Sequence, residues 1–462
     1  MIDFASLLQP DKGQVATPLH LVDKAGLEPW LAAQPGRVRQ ALAAQGFKGE
    51  ASQVALVPGE KAEWSAAVGV GDAAKPGLWC LAKAAEWLPE GVYRSAGLSA
   101  GAATLGWLLG QYRFERYKSE PTPKGPRVLL TDEPARIAEM LNLAEAIALV
   151  RDYVNLPAQD CGPQELEAAV SVLAKSHSAA LSTTSGARLE RDYPMIAAVG
   201  RAADPSRAPR LVELEWGDRS HPRVAIVGKG VVFDTGGLDI KPASGMRIMK
   251  KDMGGAAHAI ALASLVMKAR LPLRLHLLIP AVENAIAGNA FRPGDVLKSR
   301  KGLTVEIGNT DAEGRLILAD ALTKAVEGEP ELILDFATLT GAARVALGPD
   351  LPALFSNNDA LAADLLAAGE ATDDPVWRMP LWKGYHELFA SDVADFSNAS
   401  ESPFAGAVTA ALFLGKFVPD TIPWAHLDTF AWRATAKPGR PKGGEALGLR
   451  AAWSMLKARY GG

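Results

Sequence analysis

Along the second part of the chain, segments with the hydrophobic pattern of a strand alternate with segments that have the pattern of a helix. The segment PRLVELEWG, from Pro209, alternates as a half-buried strand does, and RVAIVG, over 223–228, is a continuous apolar run typical of a buried strand. GGAAHAIALASLVMKA, from Gly254, predicts an apolar helix. Three further elements are predicted: a strand from Leu271, a helix from about Leu316 and a strand from Glu331. This alternation predicts an α/β fold with a mixed, largely parallel sheet flanked by helices.

The first part of the chain has a different pattern. Residues 1–130 contain short apolar or mixed segments separated by Gly and Pro, among them ALVPGE, GLWCLA and VLLTD, with a helix predicted over 97–112. From Glu133 the apolar residues recur at spacings of three and four, which predicts a long helix that Pro157 ends. A length of 462 residues favours more than one domain. We therefore predict a smaller N-terminal α/β domain over 1–130, a linker helix over 131–155 and a larger domain over 156–462.

Composition narrows the class of protein. A hydrophobic content of 48% with 22% charged residues is typical of a globular protein. The net charge of -3, without a basic patch interleaved with aromatic residues, argues against nucleic-acid binding. The first residues do not resemble a secretory signal, and no apolar run predicts a membrane span. Cys80 and Cys161 are too few for a disulfide framework, so a cytoplasmic location is expected.

Polar side chains cluster where predicted strands end or helices begin. They come from VGKGVVFDTGGLDIKP, MKKDMGGAA and NTDAEGRL, and ligands of such sheets gather beyond the carboxyl ends of the strands. If the approach to the third helix is extended, Asp311 and Glu313 share a face, and two converging carboxylates need a cation. No H-E-x-x-H pattern occurs, so a metal site here would be rich in oxygen ligands. The candidate residues are Lys229, Asp234, Lys241, Asp252, Asp311, Glu313 and Arg315.

Each candidate also has a purely structural interpretation. Asp252 precedes a predicted helix and could be its N-cap, and Asp311 and Glu313 could stabilise a helix dipole. Lys229 could be an exposed turn lysine. The sequence VVFDTGG, around Asp234, is similar to the catalytic turn of aspartic proteases. Those enzymes need two such turns, and this chain has one DTG.

In combination the segments resemble the leucyl aminopeptidase (cytosol aminopeptidase) family of two-metal exopeptidases. VGKGVVFDTGGLDIKPASGMRIMKKDMGGAA is followed by NTDAEGRL, the complete signature octapeptide of that family, and then by DFATLTGA. The resemblance continues through AGAVTAALFLGKFV and WAHLD, and so covers roughly 151–462. Residues 1–130 carry no recognised motif. The larger domain is therefore expected to be a catalytic aminopeptidase domain.

The resemblance implies a ligand set for two divalent metal ions per subunit, Zn²⁺ or Mn²⁺. Asp234 and Glu313 would bridge the two ions. Lys229 and Asp252 would complete the tighter site, and Asp311 the more exchangeable one. Carboxylates suit such ions, whereas a lysine can coordinate only as a neutral amine.

Two further residues would act on the substrate without binding metal. Lys241, kept protonated, would stabilise the negative charge that develops on the substrate carbonyl, and Arg315 would hold a bicarbonate that shuttles the proton. An internal peptide bond offers no free α-amine, so release of N-terminal residues from peptides is expected. The resemblance implies these substrate-binding residues: Met249, Asn309, Ala312, Thr338, Leu339 and Gly341. Met249 as an ordinary core residue remains an alternative.

Two consequences of the resemblance concern specificity and assembly. Leucine and other apolar N-terminal residues are expected substrates. However, GEALGLR departs from the family pattern at Glu445 and Ala446, near the side-chain pocket. A homohexamer is implied by the family alone. The alternative function is a DNA-binding or scaffold role with accessory peptidase activity, which the net acidity argues against.

Overall fold

The computed structural model describes residues 2–61, 63–120 and 125–461, and its chain divides into two compact units. The first comprises Met1–Ala148 and Ala434–Lys442, and the second comprises Leu149–Arg433 and Gly443–Gly462. The hydrophobic pattern of the sequence does not predict that Ala434–Lys442 belongs to the first unit. The domain limits at 130 and 155 remain predictions.

The first unit is built on a six-stranded sheet of order β1-β6-β5-β2-β4-β3. Its strands are β1 (Leu8–Pro10), β2 (Thr17–Val22), β3 (Val54–Pro58), β4 (Trp64–Gly69), β5 (Gly91–Ser95) and β6 (Arg127–Thr131). Only the β3–β4 pair is antiparallel among these described strands. The first unit also contains helices α1 (Leu27–Ala32), α2 (Gly36–Ala44), α3 (Ala82–Trp87) and α4 (Ala103–Leu109), and helix α5 (Ile137–Asn155) begins in this unit and ends in the second. The predicted small α/β unit is confirmed.

One prediction in this region was wrong in extent. The helix expected over 97–112 is the shorter α4, because the chain turns at 101–102 before the helix begins and at 110–111 after it ends. GLWCLA, one of the short apolar or mixed segments, is a turn leading into α3. By contrast, the long helix predicted from Glu133 is present as α5, preceded by a 3₁₀ turn at Pro134–Arg136, and it ends two residues before Pro157.

The second unit is built on a nine-stranded mixed sheet. Its strand order is β16-β15-β18-β14-β9-β11-β8-β7, and β10 also pairs with β11. The strands are β7 (Ala180–Ser185), β8 (Arg210–Trp216), β9 (Arg223–Gly228), β10 (Gly230–Asp234), β11 (Arg274–Asn284), β14 (Leu332–Ala337), β15 (Ala353–Ser356), β16 (Trp377–Arg378) and β18 (Trp424–Asp428). The central run β18-β14-β9-β11 is parallel, as its continuous apolar strands predict.

Helices cover both faces of this sheet. The helices are α6 (Pro163–His177), α7 (Gly186–Asp192), α8 (Pro194–Gly200), α9 (Ala243–Met246), α10 (Gly254–Ala269), α11 (Glu313–Val326), α12 (Gly341–Leu347), α13 (Asp359–Ala371), α14 (Gly406–Gly415) and α15 (Leu449–Tyr460). Ala225 and Val227 of β9 share one apolar cluster with α8, α11 and α14. The alternate residues Val224 and Ile226 are equally buried on the opposite face of the strand, and α10 packs against β9 and β14. The mixed, largely parallel sheet flanked by helices is thus confirmed.

Short strands complete the second unit. Three of them form a small sheet of order β12-β13-β17, and two form the pair β19–β20. They are β12 (Val296–Lys298), β13 (Thr304–Glu306), β17 (Phe396–Ser397), β19 (Trp432–Arg433) and β20 (Gly443–Gly444). Within the ranges 2–61, 63–120 and 125–461, no helix has both the length and the apolar character needed to cross a bilayer.

The approach to α11 differs from the extended segment considered above. Residues 310–311 form a turn, and α11 begins at Glu313, three residues earlier than predicted. Asp311 and Glu313 therefore do not share a face through strand alternation. The turn is held because Thr310 donates from its backbone to Asp239, at 2.7 Å, while the Asn309 carboxamide accepts from the Asp311 backbone, at 2.7 Å.

Candidate metal centre

The central parallel strands deliver polar residues to one edge of the sheet. Lys229 follows β9 directly, Asp234 is the last residue of β10, Thr338 follows β14, and Asp428 ends β18. Since these strands run in the same direction, their carboxyl ends meet at this edge. The predicted positions of Lys229 and Asp234 at strand ends are confirmed.

Asp252 and Glu313 reach the same edge from helix starts. Asp252 lies in a 3₁₀ turn, Met249–Met253, that leads into α10. The residue that caps α10 is Met253, without a side-chain bond, so the N-cap interpretation of Asp252 is wrong. The Asp252 carboxylate instead accepts from the Thr338 hydroxyl at 2.7 Å. Glu313 is the first residue of α11, and its side chain is buried.

Three buried carboxylates converge. Asp234, Asp252 and Glu313 each offer an oxygen, and these oxygens all lie within 4.8 Å of one another. Glu313 Oε2 is buried and has no hydrogen-bond partner in the described part of the chain. Three carboxylates so close in a low-dielectric site repel strongly unless cations lie between them. The arrangement therefore fits divalent cations, which accept such oxygens as ligands.

The Lys229 ammonium lies inside this cluster. Its Nζ is 2.7 Å from Asp252 Oδ2 and 2.8 Å from Glu313 Oε1, and the side chain is 3% exposed. Burial alone would lower the pKa of Lys229, but the adjacent carboxylates of Asp252 and Glu313 outweigh burial and raise it. The exposed-turn interpretation of Lys229 is therefore wrong. Without metal, this ammonium supplies part of the charge that the cluster requires.

Lys241 lies next to the carboxylates that Lys229 does not contact. Its ammonium lies 2.8 Å from Asp234 Oδ2 and also contacts Asp311. Burial raises the pKa of Glu313 to about 8 and that of Asp311 to about 6, with the Asp234 charge acting in the same direction. Asp311 is the most open of the four carboxylates, with a side chain 34% exposed.

Arg315 is half-buried in the first turn of α11. Its Nη1 donates to the Asn398 carbonyl at 2.7 Å, and its Nε has no hydrogen-bond partner in the described residues. Burial lowers the pKa of Arg315 to about 10, although Glu313 opposes that shift. An arginine with an unused donor on a cavity wall can bind a small anion.

Glycines allow the close approaches that the centre needs. A Cβ on Gly314 would lie 2.4 Å from Lys229 Cε. Gly236 and Gly237 both have positive φ, at 89° and 66°, and a Cβ on Gly236 would lie 2.4 Å from the Asp239 carbonyl oxygen. The tight turn after Asp234 therefore requires glycine.

All the site residues predicted from the sequence line one cavity of about 500 Å³. They are Lys229, Asp234, Lys241, Met249, Asp252, Asn309, Asp311, Ala312, Glu313, Arg315, Thr338, Leu339 and Gly341. Met249 is therefore a wall residue although it is largely buried. Glu445 and Ala446, where the family pattern is interrupted, lie outside the described residues that line the cavity.

Sequence reasoning missed residues that shape the centre. Asn284, the last residue of β11, donates to Asp234 Oδ1 at 2.8 Å and to the Thr310 carbonyl at 3.2 Å. The rule that strand ends carry ligands could have found it. Asn398 holds the signature segment by donating to the Asn309 carbonyl at 2.8 Å, and nothing in the sequence indicated this distant contact. The lining residues Lys251, Arg344 and Phe430 were also missed.

Comparisons with known proteins agree with this geometry. Residues 148–452 match the model of the cytosol aminopeptidase family, catalytic domain, and residues 17–130 match the M17 aminopeptidase N-terminal domain. A probable cytosol aminopeptidase of Roseiflexus castenholzii is 42% identical over 78% of this chain and 76% of its own length. The second match covers the part of the chain in which the sequence showed no motif.

Solved structures are similar as well. The cytosol aminopeptidase of Coxiella burnetii superposes with a TM-score of 0.93, at 45% identity, over 98% of this chain and 99% of that one. The bottromycin maturation enzyme BotP in complex with Mn has a TM-score of 0.87 at 33% identity, over 96% of this chain and 100% of that chain. The aspartic-protease interpretation of the DTG turn is excluded. The chain belongs to the cytosol aminopeptidase family, and it is a peptidase of the aminopeptidase class.

Proposed function

We propose that this aminopeptidase depends on two divalent metal ions held at the carboxylate cluster. The observation that supports this most strongly is the convergence of three buried carboxylate oxygens within 4.8 Å, one carboxylate having an unpartnered oxygen. The ligands are Lys229, Asp234, Asp252, Asp311 and Glu313. Divalent ions bound there would supply Lewis-acid activation of water and of the peptide carbonyl. Zn²⁺ or Mn²⁺ is the expected metal, and the Mn complex of the similar BotP favours Mn²⁺.

Lys229 must change its protonation state when metal binds. The ammonium has no lone pair, so it can become a ligand only by losing its proton. In the metal-free protein its contacts with Asp252 and Glu313 hold it protonated. Metal uptake should therefore release a proton from Lys229, which calorimetry in buffers of different ionisation enthalpy measures.

Lys241 and Arg315 act on the reaction itself. Lys241 stays protonated and donates to the substrate carbonyl oxygen as negative charge develops there. Arg315 cannot serve as a general base, but its guanidinium lines the cavity and would hold a bicarbonate, which would supply a proton acceptor there. Both side chains line the cavity beside the carboxylates.

The substrates are peptides with a free N-terminus. We place the first side chain against the wall formed by Met249, Thr338 and Gly341, where leucine and other apolar residues would pack. Asn309, Ala312 and the Leu339 carbonyl border the peptide backbone. The family resemblance further supports a cytoplasmic homohexamer.

Metal content tests this proposal directly. Wild type reconstituted with Mn²⁺ and gel-filtered should retain two ions per chain, whereas Asp311→Ala should retain at most one with an unchanged circular dichroism spectrum. Asp295→Asn is the matched control, because Asp295 forms an ion pair with Arg201, outside the cavity lining. Equal metal content in wild type and Asp311→Ala would remove Asp311 from the ligand set. No retained metal in the wild type would overturn the proposal.

A further inference from the structure

Two cationic side chains on the cavity wall have no part in the chemistry described above. Lys251 and Arg344 both line the cavity. Lys251 is 5% exposed, on the 3₁₀ turn that also carries Met249 and Asp252, and Arg344 is exposed on α12. Burial of an ammonium beside a proposed pair of metal ions is unfavourable unless negative charge is nearby. The burial of Lys251 therefore needs an explanation.

Both cations lie against one aromatic ring and have few acidic partners. Lys251 Nζ is 5.4 Å and Arg344 Cζ is 4.8 Å from the centroid of Phe430. Among the described residues, the ion pair of Lys251 is a long one, 3.6 Å to Asp252 Oδ1, and no ion pair is recorded for Arg344. Asp252 is already shared with Lys229 and Thr338. A cation–π contact leaves the N–H donors of both side chains available to an anion.

Their positions coincide with the wall that receives the first side chain of the substrate. Lys251 faces Asp252 Oδ1, the same oxygen to which the Thr338 hydroxyl donates at 2.7 Å. A Cβ on Gly341 would lie 4.0 Å from Arg344 Nη2. Lys251 thus lies near the Thr338 part of this wall, and Arg344 lies near Gly341.

We propose that Lys251 and Arg344 bind the side-chain carboxylate of an acidic N-terminal residue, so that peptides beginning with Glu or Asp are substrates of this enzyme. This deepens the proposed function and rests on its placement of the first side chain. A carboxylate bound beside Phe430, which both cations contact, would give Lys251 a close counter-charge and offer Arg344 a bidentate partner. The side-chain methylene groups of the substrate pack on Met249, as those of leucine would. A neutral side chain leaves both cations without that partner.

The test compares isosteric substrates that differ in charge. With the Mn²⁺-loaded enzyme, kcat/KM for Glu-p-nitroanilide should exceed that for Gln-p-nitroanilide about tenfold, equivalent to about 1.4 kcal/mol. Lys251→Met and Arg344→Met should each reduce this ratio towards one. Lys250→Met is the matched control, because the Lys250 Nζ donates to the Asn155 carbonyl at 2.6 Å, outside the residues that line the cavity. Its ratio should equal that of the wild type.

A carboxylate at the other end of a dipeptide is the competing source of negative charge. Comparing Leu-Gly with Leu-Gly-amide separates the two, since only the first carries a C-terminal carboxylate. The proposal is overturned if Glu and Gln substrates are cleaved equally. It is also overturned if both variants keep the wild-type ratio of kcat/KM for the Glu and Gln substrates. The same holds if the two substitutions change only the ratio between Leu-Gly and Leu-Gly-amide. Arg344 is exposed, so Arg344→Met tests the idea even if Lys251→Met does not fold. Failure to cleave any unblocked substrate would instead refute the proposed function.

Discussion

Gly314 of the signature segment lies directly against the Lys229 side chain, so that a Cβ at this glycine would come within 2.4 Å of Lys229 Cε and 2.7 Å of Nζ. Alanine is a better helix former than glycine by about 1 kcal/mol in a helix interior. Gly314→Ala should nevertheless be harmful, because it pushes the ammonium away from Asp252 and Glu313. We expect a loss of at least one bound metal and of most activity, with little change in the thermal unfolding midpoint.

Metal content and melting of Gly314→Ala measured together check this prediction. Gly288→Ala is a suitable control, because nothing lies within 4 Å of a Cβ built at Gly288. Full metal occupancy and normal turnover in Gly314→Ala would show that Lys229 is not needed where the structure places it.

Kinetic measurements can distinguish the role of Lys241 from that of the proposed metal ligands. Lys241→Gln removes the ammonium that contacts Asp234 and Asp311 but leaves every proposed ligand present. If the ammonium stabilises the developing oxyanion, kcat should fall about 10²–10³-fold, as for other oxyanion donors. KM and metal content should change little. A similar loss caused entirely by missing metal would assign Lys241 to metal retention.

Glu445, at the position where the family pattern is interrupted, has a structural role. Its carboxylate accepts from Arg151 at 2.9 Å and from Arg433 at 3.2 Å, and all three side chains are buried. Glu445→Gln removes the anion that the two buried guanidinium groups share, while Arg433 keeps its ion pair with Asp350 at 3.0 Å. We expect the free energy of unfolding to fall by about 3–5 kcal/mol.

Urea denaturation of Glu445→Gln tests that expectation. Lys383→Gln is the control, since Lys383 pairs with Asp420 at 3.4 Å on the surface and should change stability by less than about 1 kcal/mol. Unchanged stability of Glu445→Gln, combined with altered substrate preference, would return this loop to the specificity role suggested by its position in the family.

The buried pair of His426 and Asp335 makes stability depend on pH. His426 Nδ1 lies 2.5 Å from Asp335 Oδ1, and Asp335 Oδ2 also accepts from Trp424 at 2.6 Å. Burial would lower the pKa of His426, but Asp335 outweighs burial and raises it. The pair therefore stabilises the fold fully below the unfolded histidine pKa, about 6.5, and this contribution is lost as pH rises through the folded pKa.

The matching measurement compares wild type with Asp335→Asn. The wild-type advantage in unfolding free energy should be largest below about pH 6.5 and should shrink as the pH rises to 9. An advantage that is constant from pH 6 to pH 9 would show that His426 is not charged in the folded protein.

Much of the second unit could be predicted from the sequence, because its central strands are buried on both faces. RVAIVG is β9 with the predicted limits, and the helix predicted from Gly254 is α10. Their polar neighbours Lys229 and Asp252 reach the site because strand ends and helix starts coincide there. The local hydrophobic pattern was therefore sufficient to predict where the candidate site lies.

The rest depended on contacts between distant parts of the chain. The turn before Glu313 is set by Thr310 bonding to Asp239, about seventy residues away, and local periodicity cannot reveal such a partner. Asn398 holds the signature segment from a still more distant position. Arg344 was overlooked because an exposed arginine is ordinary until its neighbours are known.

Hydrolysis of Leu-p-nitroanilide beside its N-acetylated form, before and after chelation, tests the central claim most directly. A two-metal aminopeptidase should cleave only the free amine, lose turnover with chelator and recover it when Mn²⁺ or Zn²⁺ is added back. Equal cleavage of the blocked substrate, or activity that chelation does not change, would contradict the assignment of Asp234, Asp252 and Glu313 as metal ligands.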